Sequence, residues 1–403
     1  MDLRYPPEAE EFRGSVRDFL SKHVPDGWQG MGALPVAQQA EFLADWRRRL
    51  HENGLLAVSW PTEYGGAGRS AVEQLIIAEE FTAAGVPQGG PNDNFGIQML
   101  GSTLLRFGTE EQRRHYLPRV LSQEDVWCQG FSEPEAGSDL AGIRTRARLE
   151  GDRWVIDGQK TWTSYAHLAS HIFLLCRTEA GSQRNRGLSL LIVALDQPGV
   201  EVRPLRTMTG DVDFNEVFFT GAECPVGNVI GEVGAGWAAA IRMLGHERVA
   251  IGDRIRPRDY AASYASLAAA AGDDPAVRRR LAQLYVTERV TELFATRLGQ
   301  EARAGRAPGP RGSVGKLAGA RLARLSVDVA VEAVGPAALA WETGDADAER
   351  LAYAINDAPS TRIAGGTDEI QRGIIADRVL GLPREPAADK DVPFSEIKKG
   401  GRG

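Results

Sequence analysis

The sequence predicts an α+β multidomain chain: an N-terminal helical domain, a middle antiparallel β-barrel or sandwich, and a C-terminal four-helix bundle. Three observations carry this. The hydrophobic period is helical to about residue 125, gives way to short apolar runs between 126 and 230, and becomes helical again to about 385. Gly and Pro clusters punctuate the segments at those changes. A length of 403 residues is enough for two or three separate cores.

In the first region, Phe12, Val16 and Phe19-Leu20 recur every three to four residues, as do Phe42-Leu43, Trp46 and Leu50 before Gly54. Leu75-Ile76, Phe81, Leu100 and Phe107 continue the pattern. In the middle region Trp154-Val155-Ile156 runs into Asp157-Gly158 and then Thr161-Trp162-Thr163, a hairpin signature. Apolar runs at 172–176, 188–195, 200–202 and 217–219 follow with no helix long enough for a parallel crossover, which predicts antiparallel pairing. Long Ala/Leu/Arg-rich helices are expected at 237–250, 257–271, 275–304, 313–334, 351–355 and 365–380, joined by short loops as in a bundle. Residues 386–403, closing in Lys-Lys-Gly-Gly-Arg-Gly, are expected to form a mobile tail.

Composition excludes several classes. With 54 acidic against 47 basic residues the net charge is -7, no footprint for wrapping nucleic acid. Three cysteines, Cys128, Cys176 and Cys224, lie far apart without CxxC spacing, so neither a disulfide framework nor a zinc ribbon is legible. The start carries no apolar leader or transit composition and no stretch approaches a membrane span, pointing to a cytoplasmic protein. His167 and His171 lack an HExxH frame, and no metal site is expected. Gly231-x-x-Gly234-x-Gly236 lacks the preceding strand of a dinucleotide fingerprint, and no phosphate-binding GxxxxGK[ST] or nucleophile GxSxG occurs.

What remains is a set of polar clusters at element boundaries. Phe131-Ser132-Glu133-Pro134-Glu135-Ala136-Gly137-Ser138-Asp139 suits either a plain turn or a loop that clasps a polar ligand. Trp162-Thr163-Ser164 offers a core tryptophan or a stacking platform. His246-Glu247-Arg248 lies mid-helix among apolar neighbours, as a structural ion pair or a proton-transfer group. Gly365-Gly366-Thr367-Asp368 suits a helix cap.

Taken together these segments resemble the acyl-CoA dehydrogenase flavoprotein family over nearly the whole chain. The resemblance is carried by Phe131 to Asp139, by Asp157-Gly158-Gln159-Lys160-Thr161-Trp162, and by Gly366-Thr367-Asp368-Glu369-Ile370-Gln371-Arg372. It implies FAD between the β-domain and the C-terminal bundle, with part of each cofactor site drawn from a neighbouring subunit. Carried over by position, Gln129, Phe131 and Ser132 line the isoalloxazine, Trp162 covers it, and Ser164 bonds near flavin N5. Ser138 reaches the pyrophosphate or the CoA arm, and Thr367 and Glu369 approach the ribityl and adenosine portions. The implied reaction is α,β-desaturation of an acyl-CoA thioester: a base takes the α-proton, hydride goes to flavin N5, and an electron-transferring flavoprotein takes the electrons.

Three departures shape the expectation. Many members place the base in Tyr-Glu-Gly-Thr, but here Ala364-Gly365-Gly366-Thr367 stands and Gly365 takes no proton. A subgroup places a Glu before an Arg on a bundle helix, which makes Glu247 the expected base, with Arg248, Ala364, Gly365 and Ser138 against the substrate. The family's Phe-Gly-[Arg/Lys] stretch has no clear counterpart around 297–310, and its Gln-x-x-Gly-Gly is Glu332-Ala333-Val334-Gly335-Pro336. The expected assembly is therefore a homodimer or homotetramer, or a heteromer with a second chain of the same family, as in bacterial steroid side-chain enzymes. The competing readings are a flavin oxidase or monooxygenase on this fold, and a non-catalytic subunit.

Overall fold

The computed structural model describes residues 5–396 except 29, 32, 33, 35, 180, 255–262, 304–308, 341, 385 and 387–391; the side chains of 36, 37, 71, 246–254, 269, 270, 302, 303 and 395 are also outside the description. The chain divides into two compact units: one of residues 1–205, 213–243 and 389–403, the other of 206–212 and 244–388.

The first unit begins with helices α1 (Pro7–His23), α2 (Val36–Glu52), α3 (Ala71–Ala84), α4 (Ser102–Phe107) and α5 (Glu110–Ser122). Their starts are written locally: Ser70 with Glu73 and Thr109 with Gln112 form reciprocal capping boxes on α3 and α5. Trp46, Leu50, Ile76 and Phe81 are fully buried, and the Trp46 indole N–H donates to the Pro87 carbonyl at 2.7 Å. Buried Arg47 satisfies its guanidinium on Asp93 and on the carbonyls of Val120 and Leu121, tying α2 to the end of α5.

Seven strands follow: β1 (Trp127–Gly130), β2 (Arg146–Glu150), β3 (Arg153–Ser164), β4 (His171–Arg177), β5 (Leu188–Ala194), β6 (Val200–Leu205) and β7 (Phe214–Pro225). They form one sheet in the order β1-β4-β2-β3-β7-β6, with β5 also on β4. Most pairs are antiparallel as expected, but β1 runs parallel to β4, and β2 meets β4 in parallel at Arg146–Arg177. The β2–β3 excursion between β1 and β4 returns the chain in its original direction. β4 and β5 are buried almost throughout, which explains their unbroken apolar runs.

The hairpin expected at Asp157-Gly158 is not there. β3 continues through it as one strand, and the pair sits at a register shift against β7. A Cβ on Gly158 would come within 2.5 Å of the Thr145 hydroxyl, so the glycine reflects close approach of the residue that leads into β2, not a turn. The turn lies at Gly151-Asp152 between β2 and β3, with Gly151 at φ +66°.

Helix α6 (Gly236–Arg254) runs across the boundary between the units. The second unit holds α7 (Tyr264–Ala270), α8 (Pro275–Arg303), α9 (Gly312–Val334), α10 (Ala346–Asp357) and α11 (Asp368–Arg378). α9 buries Lys316, Ala320, Ala323, Val327 and Ala330 at three- and four-residue spacing and packs on α8 and α11. Leu281, Leu284, Leu325, Val329 and Leu351 make its core. The tail expected to be mobile contains a docked turn: Phe394 is buried, and its N–H donates to the Ser182 carbonyl at 2.8 Å. Among the described residues no helix is long and apolar enough to cross a membrane.

Candidate functional site

In the first unit the sequence-predicted residues Gln129, Phe131, Ser132, Trp162 and Ser164 belong to one construction at the end of β1 and the second half of β3. Phe131 is buried edge-on against Phe173, with ring centres 6.0 Å apart. The Thr161 N–H donates to the Ser132 carbonyl at 3.0 Å, fastening the loop after β1 to β3. Beneath it lies an ion pair that sequence reasoning quoted but gave no role: Lys160 is fully buried and donates to Glu133 Oε1 at 2.8 Å and to the Phe131 carbonyl at 2.9 Å. Glu133 also accepts the N–H groups of Arg144 at 2.6 Å and Thr145 at 2.8 Å. Burial acts to raise the Glu133 pKa, but Lys160 and these donors outweigh it and hold the carboxyl below its ordinary value. Burial likewise depresses the Lys160 pKa, and Glu133 opposes that shift. The signal for this pair was the alternation of β3, which turns Lys160 inward.

Trp162 is where β3 loses register with β7, between Lys160 and Thr163. Its φ is +59°, a left-handed conformation rare for a bulky residue, and 61% of the side chain is exposed while Lys160 and Thr163 on either side are buried. Its ring meets Phe214 in a T-shaped pair, with centres 5.7 Å apart and planes at 82°. An outlier of this kind costs on the order of 1 kcal/mol and marks a place where a side chain has been re-aimed. Next to it the Thr163 hydroxyl is buried without a hydrogen-bond partner, while the Thr163 carbonyl accepts from Asn215 at 2.9 Å. Ser138 is exposed, on a loop closed by reciprocal backbone bonds between Glu133 and Ala136.

In the second unit Ala364, Gly365, Gly366, Thr367 and Glu369 share the turn that enters α11. Gly365 and Gly366 have φ of +64° and +91°, and Gln371 donates to both their carbonyls, at 2.9 and 3.0 Å. Thr367 caps α11 by accepting from the Ile370 N–H, as the cap reading expected. Asp368 accepts from Arg362 Nε at 2.8 Å across the turn. Arg324, Arg362, Thr367 and Glu369 line an open cavity there of about 280 Å³. Beneath the turn, buried Lys316 lies 3.9 Å from Asp368 Oδ1, and neither atom has a hydrogen bond. Glu332, the departure from the family's Gln, is paired with Arg280 at 3.1 Å. Glu247 and Arg248 lie on α6, with side chains outside the described residues.

Comparison with known proteins gives this arrangement its relatives. Family models for the acyl-CoA dehydrogenase N-terminal, middle and C-terminal domains match residues 6–124, 128–222 and 234–380. Acyl-CoA dehydrogenase IpdE1 of Mycobacterium tuberculosis is 41% identical over 386 residues, covering 94% of this chain and 99% of that protein. Among solved structures, the Tcur3481-Tcur3483 steroid ACAD aligns with TM-score 0.77 at 31% identity, over 96% of this chain and 100% of that one. The ChsE4-ChsE5 complex from Mycobacterium tuberculosis aligns with TM-score 0.72 at 30% identity, over 96% and 100%. The chain belongs to the acyl-CoA dehydrogenase family of flavoprotein oxidoreductases.

Proposed function

We propose that this chain catalyses α,β-dehydrogenation of an acyl-CoA thioester, with Glu247 as base, FAD as the electron acceptor and an electron-transferring flavoprotein as the next carrier. One observation carries the choice of base. At Gly365 the backbone runs at φ +64°, a conformation that L side chains seldom adopt, and the residue there has no side chain at all. Position 365 therefore supplies no carboxylate, and Glu247, directly before Arg248 on α6, is the one the sequence offers in its place.

The residues of the first unit fit a planar, polar cofactor. Trp162 holds a ring out to solvent in a strained conformation, and the Thr163 hydroxyl beside it is buried without a partner. Gln129, Phe131, Ser132, Trp162 and Ser164 would hold the isoalloxazine, Ser138 the pyrophosphate or the CoA arm, and Thr367 with Glu369 the ribityl and adenosine parts. Bound FAD supplies the acceptor for the hydride that leaves the substrate's β-carbon. Glu247 takes the α-proton, a task that needs its pKa raised by an apolar surrounding toward the working pH. The α C–H is a weak acid, so donors on the thioester carbonyl must strengthen as charge develops. Ala364 and Gly365 leave space beside the thioester, which suits a branched or ring-bearing acyl group; the steroid description of a structural neighbour favours the latter.

The functional assembly on this reading pairs the chain with a second, related chain. Glu332 and Pro336 stand where the family pattern has Gln and Gly, Glu332 is already held by Arg280, and two structural neighbours are described by paired names. The test is anaerobic flavin bleaching by straight, branched and steroid acyl-CoAs, with and without a candidate partner chain. Bleaching by a ring-bearing acyl-CoA with slow reoxidation in air is expected. Rapid reoxidation would indicate an oxidase, and full FAD occupancy of the chain alone would sink the paired assembly.

A further inference from the structure

The candidate site leaves one buried cation of the first unit unexplained. Arg177, the last residue of β4, is 4% exposed, and no carboxylate lies within ion-pair distance of it among the described residues. Its guanidinium donates only to carbonyls: Ala141 at 2.9 Å and Ile143 at 3.4 Å on one loop, Arg184 at 2.9 Å and Arg186 at 3.3 Å on another. A buried guanidinium satisfied by neutral acceptors alone still needs charge compensation. The charge of Glu133 acts on it through space, and the ring of Phe394 covers it directly, with the Arg177 guanidinium 3.5 Å from the ring centroid and the Arg144 guanidinium 5.3 Å from the same ring.

The Phe394 contact comes from far along the chain. After α11 the sequence returns to the first unit, where Pro393 bridges Gln183 and the Phe394 N–H donates to the Ser182 carbonyl. From Phe394 a continuous set of bonds leads to the candidate site. Arg177 holds Ala141 and Ile143, its own N–H donates to the Thr145 carbonyl at 2.8 Å, and Arg144 and Thr145 give their N–H groups to Glu133. Glu133 is bound to Lys160, which holds the Phe131 carbonyl. Ser138 lies on the segment between these two anchors.

We propose that Phe394 is a positioning residue: docked on Arg177 and Arg144, the C-terminal turn staples the 133–145 loop in the shape that presents Ser138 to a phosphate-bearing ligand. The staple is a property of the fold alone; its consequence for ligand binding rests on the reading of Ser138 under Proposed function. Phe394→Leu keeps bulk but removes the aromatic face, Phe394→Tyr keeps both, and Phe394→Ala removes both.

The experiment compares these variants, and Ser138→Ala, in the full chain with its flavin and any required partner. Hydrogen exchange by mass spectrometry reads the staple without reference to activity. Phe394→Ala and Phe394→Leu should speed exchange in 133–145 and 182–187 and leave the β3–β7 amides protected, with Phe394→Tyr restoring the native pattern. In kinetics, Phe394→Ala should raise KM for acyl-CoA roughly tenfold and leave kcat nearly unchanged, the signature of a lost binding geometry. Unchanged exchange in 133–145, or faster exchange spread evenly over the molecule, would overturn the staple. Faster local exchange with unchanged KM, where Ser138→Ala does raise KM, would overturn its link to ligand. A weakened FAD retention with KM unmoved would place Ser138 at the cofactor's pyrophosphate instead of the CoA arm; if neither variant moves KM or FAD retention, the Ser138 reading fails and the exchange data alone decide the staple.

Discussion

Each unit buries one lysine against one carboxylate beneath a candidate ligand loop, and the two are finished to different degrees. Lys160 in the β-sheet has two short hydrogen bonds, and Glu133 takes three donors. Lys316 under the α11 turn has none, and it faces Asp368 at 3.9 Å, outside hydrogen-bonding distance. Burying an ion pair gains stability only when geometry and extra hydrogen bonds offset desolvation. The first pair meets that condition with this chain's own groups, so the 131–133 loop is pre-organised. The second does not, and it lies beneath the half of the site where the sequence departs most from the family pattern.

The sharpest way to break this contrast is to remove each lysine. Lys160→Met leaves Glu133 buried with its counter-charge gone and should cost about 3–5 kcal/mol in denaturant unfolding. Acid titration comes next. Since the folded-state pKa of Glu133 lies below its ordinary 4.5, the unfolded chain binds that proton more readily; the pair's contribution is complete above about 4.5 and is lost as pH falls through the lower folded value. Glu133→Gln should therefore flatten the acid limb of stability against pH, with a lower plateau at neutral pH. Lys316→Met should change unfolding free energy by only about 1 kcal/mol or less, because an ammonium without hydrogen bonds has little to lose. A loss as large as that of Lys160→Met would show that Lys316 is satisfied in solution. The smallest effect is expected at Trp162. Trp162→Asn relieves the left-handed strain and should stabilise the fold by roughly 0.5–1 kcal/mol while weakening flavin retention. Destabilisation would mean the exposed ring has support beyond its contact with Phe214.

Much of this was legible in the sequence, for physical reasons that differ by region. The helical stripes of α1 and α9 and the apolar runs of β4 and β5 show themselves because periodicity records burial directly. Asp157-Gly158 misled because a local turn signal was overridden by the approach of Thr145, the residue just before β2, a contact no local pattern records. Parallel pairing of β1 with β4 is likewise a property of topology. The motif around Phe131 drew attention for its polar loop, but the partner that shapes it, Lys160, is separated by 27 residues from Glu133. The docking of Phe394 depends on two arginines more than 200 residues earlier, so the tail's composition alone indicated mobility.

The central claim is that an α6 carboxylate does the work that the Gly365 turn has given up. It is tested most directly by single-turnover anaerobic flavin reduction in Glu247→Gln, with acyl-CoA binding and FAD content measured on the same sample. The account predicts bound cofactor and substrate with flavin that stays oxidised, a loss of at least about 10³-fold in rate. Reduction at the wild-type rate would contradict it and remove Glu247 from the mechanism.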